Sequence, residues 1–102
     1  NISLIYYLLK KNQKSHWHRL KKNEILHFYD GDPLLVNLFH NDNHIKEIIL
    51  DNKKNNCHYV VRKNTWFSMR SLGEYSLIGC TVSPPFEYSD FELAPENWEP
   101  KK

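Results

Sequence analysis

Two histidines and a glutamate in the first quarter of the chain have the types and spacing that could do chemistry. His16 and His18 are separated by one residue, and Glu24 follows six residues after His18. Because alternate side chains of a strand share a face, both imidazoles are predicted to point the same way, towards a carboxylate on the next strand. His16, His18 and Glu24 could together bind a divalent metal such as zinc, iron, manganese or nickel. Without a metal, His18 and Glu24 could act as a catalytic acid/base pair.

A purely structural alternative stays open for these residues. A buried glutamate needs a charged or hydrogen-bonding partner, and His18 could serve only as that partner. His16 could equally lie at a solvent-exposed rim. His27 lies three residues beyond Glu24, so strand alternation predicts that it faces the opposite side of the sheet.

The elements that would position these side chains are short strands. Turns recur every six to ten residues, including the Asn41, Asp42 and Asn43 tip, and no segment has a helical pattern. This spacing predicts a single all-β domain, either a β-barrel or a jelly roll. The first strand is so rich in apolar and aromatic residues that burial on both faces is expected. Strands are predicted over residues 1–10, 16–20, 24–29, 34–39, 45–50, 57–62, 65–70 and 75–82.

Composition narrows the class of partner. The 102-residue chain has 40% hydrophobic residues and a formal net charge of +2, which is too mild to predict nucleic-acid binding. Its apolar runs are too short to cross a bilayer, and it has no recognisable secretory leader, so no membrane partner is expected. Cys57 and Cys80 need not pair, which favours a reducing, cytoplasmic location.

The chain also resembles a known superfamily. The pattern HxH(x)5E(x)6G, from His16 to Gly31, is similar to the first motif of the cupins. The second cupin motif, G(x)5PxG(x)2H(x)3N, keeps its spacing here, but Asn64 stands for its second glycine and Phe67 for its histidine. The segments IYYLL, WHR, ExxHFYxGDPL, TWF, YSLxGCTVxPxF and FELA resemble one small cupin group of undefined function, related in fold to sugar-nucleotide 3,5-epimerases.

The resemblance implies a cupin-type jelly-roll β-barrel with a small-molecule pocket inside it, for a carbohydrate-like or small polar ligand. Tyr29, Trp66 and Phe67 could stack on a ring there, and Arg62 is a further pocket candidate. The activity implied is isomerase-like, epimerase-like or metal-dependent; the alternative is a module that binds its ligand without turning it over. Phe67 lowers the expected metal affinity, and the shortage of arginine disfavours a sugar nucleotide.

The resemblance also bears on domain limits and assembly. Members of the group carry about thirty further residues before the point where this sequence starts, so an N-terminal strand is expected to be missing. Residues 1–93 are predicted to form the domain, with the aromatic and acidic segment 86–93 capping the barrel. Residues 94–102 are predicted to be a frayed tail. Cupins of this type often pair edge strands across a two-fold axis, so a homodimer is expected.

Overall fold

The fold is all-β. The structure, a computed structural model, describes residues 2–39, 44–53 and 56–100, and the predicted turn at residues 41–43 lies outside them. No helix in this part of the chain is long and apolar enough to cross a membrane. A short 3₁₀ turn at Tyr88–Asp90 precedes the last strand. The strands are β1 (Ser3–Lys10), β2 (Lys14–Leu20), β3 (Glu24–Gly31), β4 (Leu34–Phe39), β5 (Ile45–Leu50), β6 (His58–Val61), β7 (Trp66–Ser71), β8 (Tyr75–Val82) and β9 (Phe91–Leu93).

The strands form two antiparallel sheets that pack as a jelly roll. One sheet has the order β1-β8-β3-β6, and the other has the order β5-β4-β7-β2-β9. Strands distant in sequence are therefore neighbours, as when β2 pairs with β7 and β3 with β8. This arrangement confirms the all-β jelly roll expected from the spacing of strands and turns.

The core lies between the sheets because apolar residues alternate along the strands. On β4, Leu34, Val36 and Leu38 point inwards, and on β3, Leu26 and Phe28 do the same. Inward residues of β7 and β8 complete one hydrophobic cluster. The core fills one part of the space between the sheets, and the remainder is the cavity described below.

Strand β1 departs from the prediction that it is buried on both faces. It lies at the edge of its sheet and pairs only with β8. Its outward residues Leu4, Tyr6 and Leu8 are exposed, and Tyr6 reaches 71% exposure. Apolar composition alone could not reveal that these outward residues are left exposed among the described part of the chain.

Two β-bulges alter the side-chain alternation next to the site. On β2, Ser15 pairs with Met69 of β7 and His18 pairs with Phe67, so three residues of advance along β2 match only two along β7. On β3, the steps from Phe28 to Asp30 pair with a single step on β8, which leaves Tyr29 as the extra residue. An extra residue reverses the alternation beyond it, so residues an odd number apart can face the same side.

Gly31 ends β3 in a backbone conformation that requires glycine. Its φ is 99°, and a Cβ at this position would collide with the carbonyl oxygen of Tyr75. The spacing of the first motif therefore ends on a residue whose backbone is structurally constrained. Asn64 has φ 64° where the second cupin motif carries glycine, and asparagine tolerates this left-handed conformation better than most residues.

Residues 94–100 pack on the domain, which corrects the expectation of a frayed tail. The Ala94 N–H donates to the Trp17 carbonyl at 3.0 Å, and Ala94 is buried. The Trp98 ring lies 6.2 Å from the Trp17 ring and 4.9 Å from the Trp66 ring. The segment is mostly polar, so its composition did not indicate that a single tryptophan anchors it to the domain.

Candidate functional site

A cavity of about 530 Å³ lies between the two sheets, and both His18 and Glu24 line it. His18 comes from β2 in one sheet and Glu24 from β3 in the other, so the cavity bridges the sheets. Its volume falls within the range of small-molecule sites. Ile5, although it lines the cavity, is 57% exposed, so the cavity opens to solvent beside β1.

Glu24 is buried, and burial raises the pKa of its carboxyl from 4.5 to about 7. A charged carboxylate loses hydration when it leaves water, so the protonated form is favoured. The Cys80 thiol donates a hydrogen bond to this carboxyl, which offsets part of the pKa rise. Burial, the nearby Glu24 charge and this hydrogen bond raise the pKa of Cys80 in turn. Near neutral pH, Glu24 is therefore present both as an acid able to donate a proton and as a carboxylate.

His18 has the opposite tendency. Burial lowers the pKa of its imidazole, although a hydrogen bond to the backbone of His16 partly offsets the effect. Its Nδ1 lies 2.8 Å from the His16 carbonyl oxygen. A carbonyl can only accept, so Nδ1 carries the proton and Nε2 keeps a lone pair in the neutral ring. The buried ring also packs against Phe67, with centroids 4.2 Å apart.

His16 lines the same cavity, but its ring is bonded to a different segment of the chain from that of His18. Its Nε2 donates to the Pro95 carbonyl oxygen at 2.8 Å. The bulge between Ser15 and His18 interrupts the regular alternation of β2, yet both imidazoles line the one cavity. The imidazole of His16 is thus bonded to the backbone of the C-terminal segment.

The three predicted metal ligands do not form a ligand set. Across residues 2–39, 44–53 and 56–100, no group of three or more His, Cys, Asp or Glu side chains is arranged to hold a metal ion. Phe67, which stands where the second cupin motif has histidine, adds an apolar ring beside His18. These side chains therefore do not fit the metal predicted from the sequence.

The four predicted pocket residues, Tyr29, Arg62, Trp66 and Phe67, all lie outside the lining of the cavity. Tyr29, 45% exposed, lies on the outer face, where its ring stacks on His27 and contacts Tyr6. Tyr29 is five residues from Glu24, and an odd separation places two strand residues on opposite faces. Arg62 is exposed just beyond the end of β6.

Trp66 and Phe67 are adjacent, so one strand cannot turn both towards the cavity. Trp66 faces outwards, between Trp98 and the Arg19 guanidinium, which lies 4.5 Å from its ring centroid. Phe67 faces inwards and is almost fully buried in the core, where it supports the His18 ring rather than lining the cavity.

The segment after β8 supplies cavity residues that sequence reasoning assigned only in general terms. Phe86, Tyr88 and Phe91, here called the aromatic cover, all line the cavity. The Phe86 ring lies 5.3 Å from that of Tyr88 and 6.3 Å from that of Phe91. The alternation of aromatic and acidic residues along this segment is the pattern from which a cap on the barrel was predicted.

Lys22 fixes this segment to the domain. Its Nζ lies 2.7 Å from an Asp90 carboxylate oxygen and donates to the Pro85 carbonyl at 2.8 Å. The hydrogen bond from Lys22 lowers the pKa of Asp90. The Phe86 N–H also donates to Ser3 Oγ at 2.9 Å. The aromatic cover is thus attached at both ends to the rest of the domain.

Sequence reasoning overlooked the part of Cys80 in the site. Cys80 lies on β8 between Ile78 and Val82, and it shares the cavity with Glu24. Alternation along β8 places Ile78, Cys80 and Val82 on one face and therefore could have identified it.

Comparison with known proteins identifies the family of this chain and several solved structures of similar fold. The family model described as Cupin superfamily (DUF985) matches residues 1–94. No match was found among curated proteins.

Several solved structures are similar to this chain. A protein from Shewanella oneidensis is 31% identical, with a TM-score of 0.84, covering 91% of this chain and 61% of that one. A hypothetical protein from Leishmania major is 26% identical, with a TM-score of 0.83, covering 91% and 64%. A dTDP sugar isomerase from Desulfovibrio desulfuricans is 13% identical, with a TM-score of 0.79, covering 93% and 65%, and shows likeness of fold alone. The chain thus spans less than two thirds of the length of each of these proteins.

Proposed function

The chain belongs to the cupin superfamily, and on that premise we propose that it is an isomerase-type enzyme that moves a proton on a small molecule bound in the cavity. His18 is the base and Glu24 is the acid. The observation that carries the proposal is that these two groups line one cavity and have pKa values displaced in opposite directions. Such opposed displacements are typical of an acid and a base that work as a pair.

The chemistry follows from the protonation states. Neutral His18 can take a proton at Nε2 from a carbon beside a carbonyl group, while protonated Glu24 donates its proton to the carbonyl oxygen. The product of this step is an enol, with His18 positively charged and Glu24 negatively charged. Return of the protons, with the carbon proton placed on a different carbon or face, completes an isomerisation and restores both residues.

Two finer predictions belong to this proposal. The dTDP sugar isomerase with the same fold supports isomerase chemistry and a carbohydrate-like or small polar ligand. A reducing, cytoplasmic location is supported by the two cysteines, both free thiols, one exposed and one buried.

Hydrogen–deuterium exchange tests the proton transfer without knowledge of the product. The protein is incubated in D₂O with a panel of small aldehydes and ketones, and deuterium uptake beside the carbonyl is followed by NMR. We expect catalysed uptake for at least one compound, with at least a hundredfold loss in Glu24→Gln. Glu47→Gln, an exposed glutamate on β5, is the matched control and should leave uptake unchanged.

A second candidate function is a cupin module that binds a ligand without converting it. Phe67 supports this alternative, because it replaces the histidine of the second motif with an inert ring. Absence of catalysed exchange across the panel, or equal exchange in Glu24→Gln, would favour the binding module over the enzyme.

Metal-dependent catalysis has less support than the metal-free pair. Although the three predicted ligands line one cavity, they do not form a group that could hold a metal ion among the described residues. Elemental analysis of purified protein is expected to find far less than one equivalent of zinc, iron, manganese or nickel. Stoichiometric metal that is lost in Glu24→Gln would restore the metal hypothesis.

A homodimer remains part of the proposal. The edge strand β1 offers unpaired backbone groups, and its outward residues Leu4, Tyr6 and Leu8 are exposed and uncharged. An exposed apolar strand edge is a common pairing surface, and a second copy would supply the same surface across a two-fold axis.

A further inference from the structure

The lining of the cavity is mainly apolar away from His18 and Glu24. The strands contribute aliphatic and thioether side chains, and the aromatic cover contributes three rings. The aliphatic and thioether members are Ile5, Leu20, Met69, Val82 and Leu93.

Positive charge is scarce at this lining. In the part of the chain that the structure describes, Lys14 is the single lysine or arginine that lines the cavity. Lys22 is engaged by Asp90 and Pro85. Arg19 binds Glu92 at 2.8 Å and stacks on Trp66. A diphosphate normally needs several charge-assisted contacts, which these engaged groups do not offer.

The aromatic cover lies close to the acid/base pair. The Phe91 ring centroid is 5.8 Å from that of His18, and both residues line the cavity. A molecule with its reacting group at His18 therefore meets an aromatic ring with the rest of its body. Because Lys22 and Ser3 hold this segment in place, the rings are positioned before a ligand arrives.

We propose that the ligand of this cavity is a small molecule with an apolar body and one uncharged hydrogen-bond acceptor, such as a carbonyl group. The acceptor lies at Glu24 and His18, and the body lies against Phe91 and Phe86. This inference rests on the proposed function, and it replaces the carbohydrate-like or small polar ligand given there with one whose body is apolar. A sugar would bury several hydroxyl groups against apolar walls, and each unpaired hydroxyl weakens binding.

Acetophenone is a suitable probe, because it has an aromatic body and a single carbonyl group. Methyl β-D-glucoside and thymidine diphosphate represent the competing ligand classes. Binding of each is measured by ligand-observed NMR on the full chain. We expect acetophenone to bind and the other two to bind at least tenfold more weakly.

The matched variants are Phe91→Ala and Tyr29→Ala. The two rings are similarly exposed, at 41% and 45%, but Phe91 lines the cavity and Tyr29 lies outside it. We expect Phe91→Ala to weaken acetophenone binding at least fivefold, with Tyr29→Ala unchanged. Unfolding curves of both variants establish that each is folded.

The outcomes separate this inference from the proposed function. Tighter binding of the glucoside or the diphosphate, equal acetophenone binding in both variants, or no acetophenone binding overturns the ligand class. If one of those competing probes binds and Glu24→Gln weakens it, the proposed site survives with a different ligand. Binding that Glu24→Gln leaves unchanged overturns the proposed site itself.

Discussion

Burial acts on Glu24 and His18 in opposite directions, and this contrast is the basis of the proposed chemistry. It raises the pKa of the carboxyl to about 7 and lowers that of the imidazole. In both cases the neutral form is favoured, because a low-dielectric surrounding penalises charge. A neutral acid and a neutral base can then coexist in one cavity near neutral pH, as proton transfer requires.

At the residue scale, Glu24→Gln should change how stability depends on pH. The folded pKa of about 7 lies above the unfolded value of 4.5, so the folded state binds more protons between these values. The wild-type free energy of unfolding therefore falls as pH rises from about 4.5 to about 7, by at most about 3.5 kcal/mol at about 1.4 kcal/mol per pKa unit.

Urea unfolding of wild type and Glu24→Gln at pH 5 and pH 8 measures this effect. Relative to wild type, the variant is expected to gain roughly 1–3 kcal/mol between the two pH values. His18 has the opposite pH dependence, since its lowered pKa makes stability rise with pH up to about 6.5, but it is present in both proteins. An equal difference at the two pH values would mean that Glu24 titrates normally.

The sequence predicted some residues of the site correctly and others not, and the difference depends on each residue's position in its strand. Glu24 and His18 were identified by the spacing of the first motif, and both line the cavity. Tyr29 and Trp66 were chosen as aromatic residues, but the alternation of their strands turns them outwards. The residue type identifies candidates for the site. The alternation of side chains along a strand, and the β-bulges that interrupt it, decide which candidates face the cavity.

At the element scale, regular strands were predictable and their irregularities were not. The bounds of β4, β5 and β8 agree with the prediction, because turn residues and alternation mark both ends. The bulge in β2 has no local sequence signal, and it lies between Ser15 and His18, beside the site. It arises from pairing with β7, about fifty residues away in sequence.

The C-terminal segment offers a second test at this scale. Trp98 packs against Trp17 and Trp66, so Trp98→Ala should lower the free energy of unfolding by roughly 2 kcal/mol. Glu96→Ala, an exposed substitution in the same segment, should change it by less than about 0.5 kcal/mol. Urea unfolding distinguishes a packed segment from a frayed one, for which both substitutions would be neutral.

At the scale of the whole molecule, the fold class was predictable because strand and turn spacing leave few architectures open. The exposure of the outward face of β1 was not predictable, because a sequence analysis assigns its apolar residues to the core. A second copy of the chain is the proposed occupant of this face.

A charge on the outward face of β1 tests the homodimer. Wild type is expected to sediment at micromolar concentration with twice the chain mass of 12.3 kDa. Tyr6→Lys should shift it to the monomer, because a buried unpaired charge disfavours association. Ile49→Lys, at an exposed position on β5 in the other sheet, is the control and should remain dimeric. A monomeric wild type, or a dimeric Tyr6→Lys, contradicts the proposed interface.

The most direct test of the acid/base pair is an NMR titration of the Glu24 carboxyl carbon in ¹³C-labelled protein, assigned with Glu24→Gln. Burial beside Cys80 predicts a midpoint near pH 7, and a probe bound at the site should move that midpoint. A midpoint near 4.5, unchanged by any ligand that binds, would show that Glu24 is an ordinary carboxylate and would contradict the proposed chemistry.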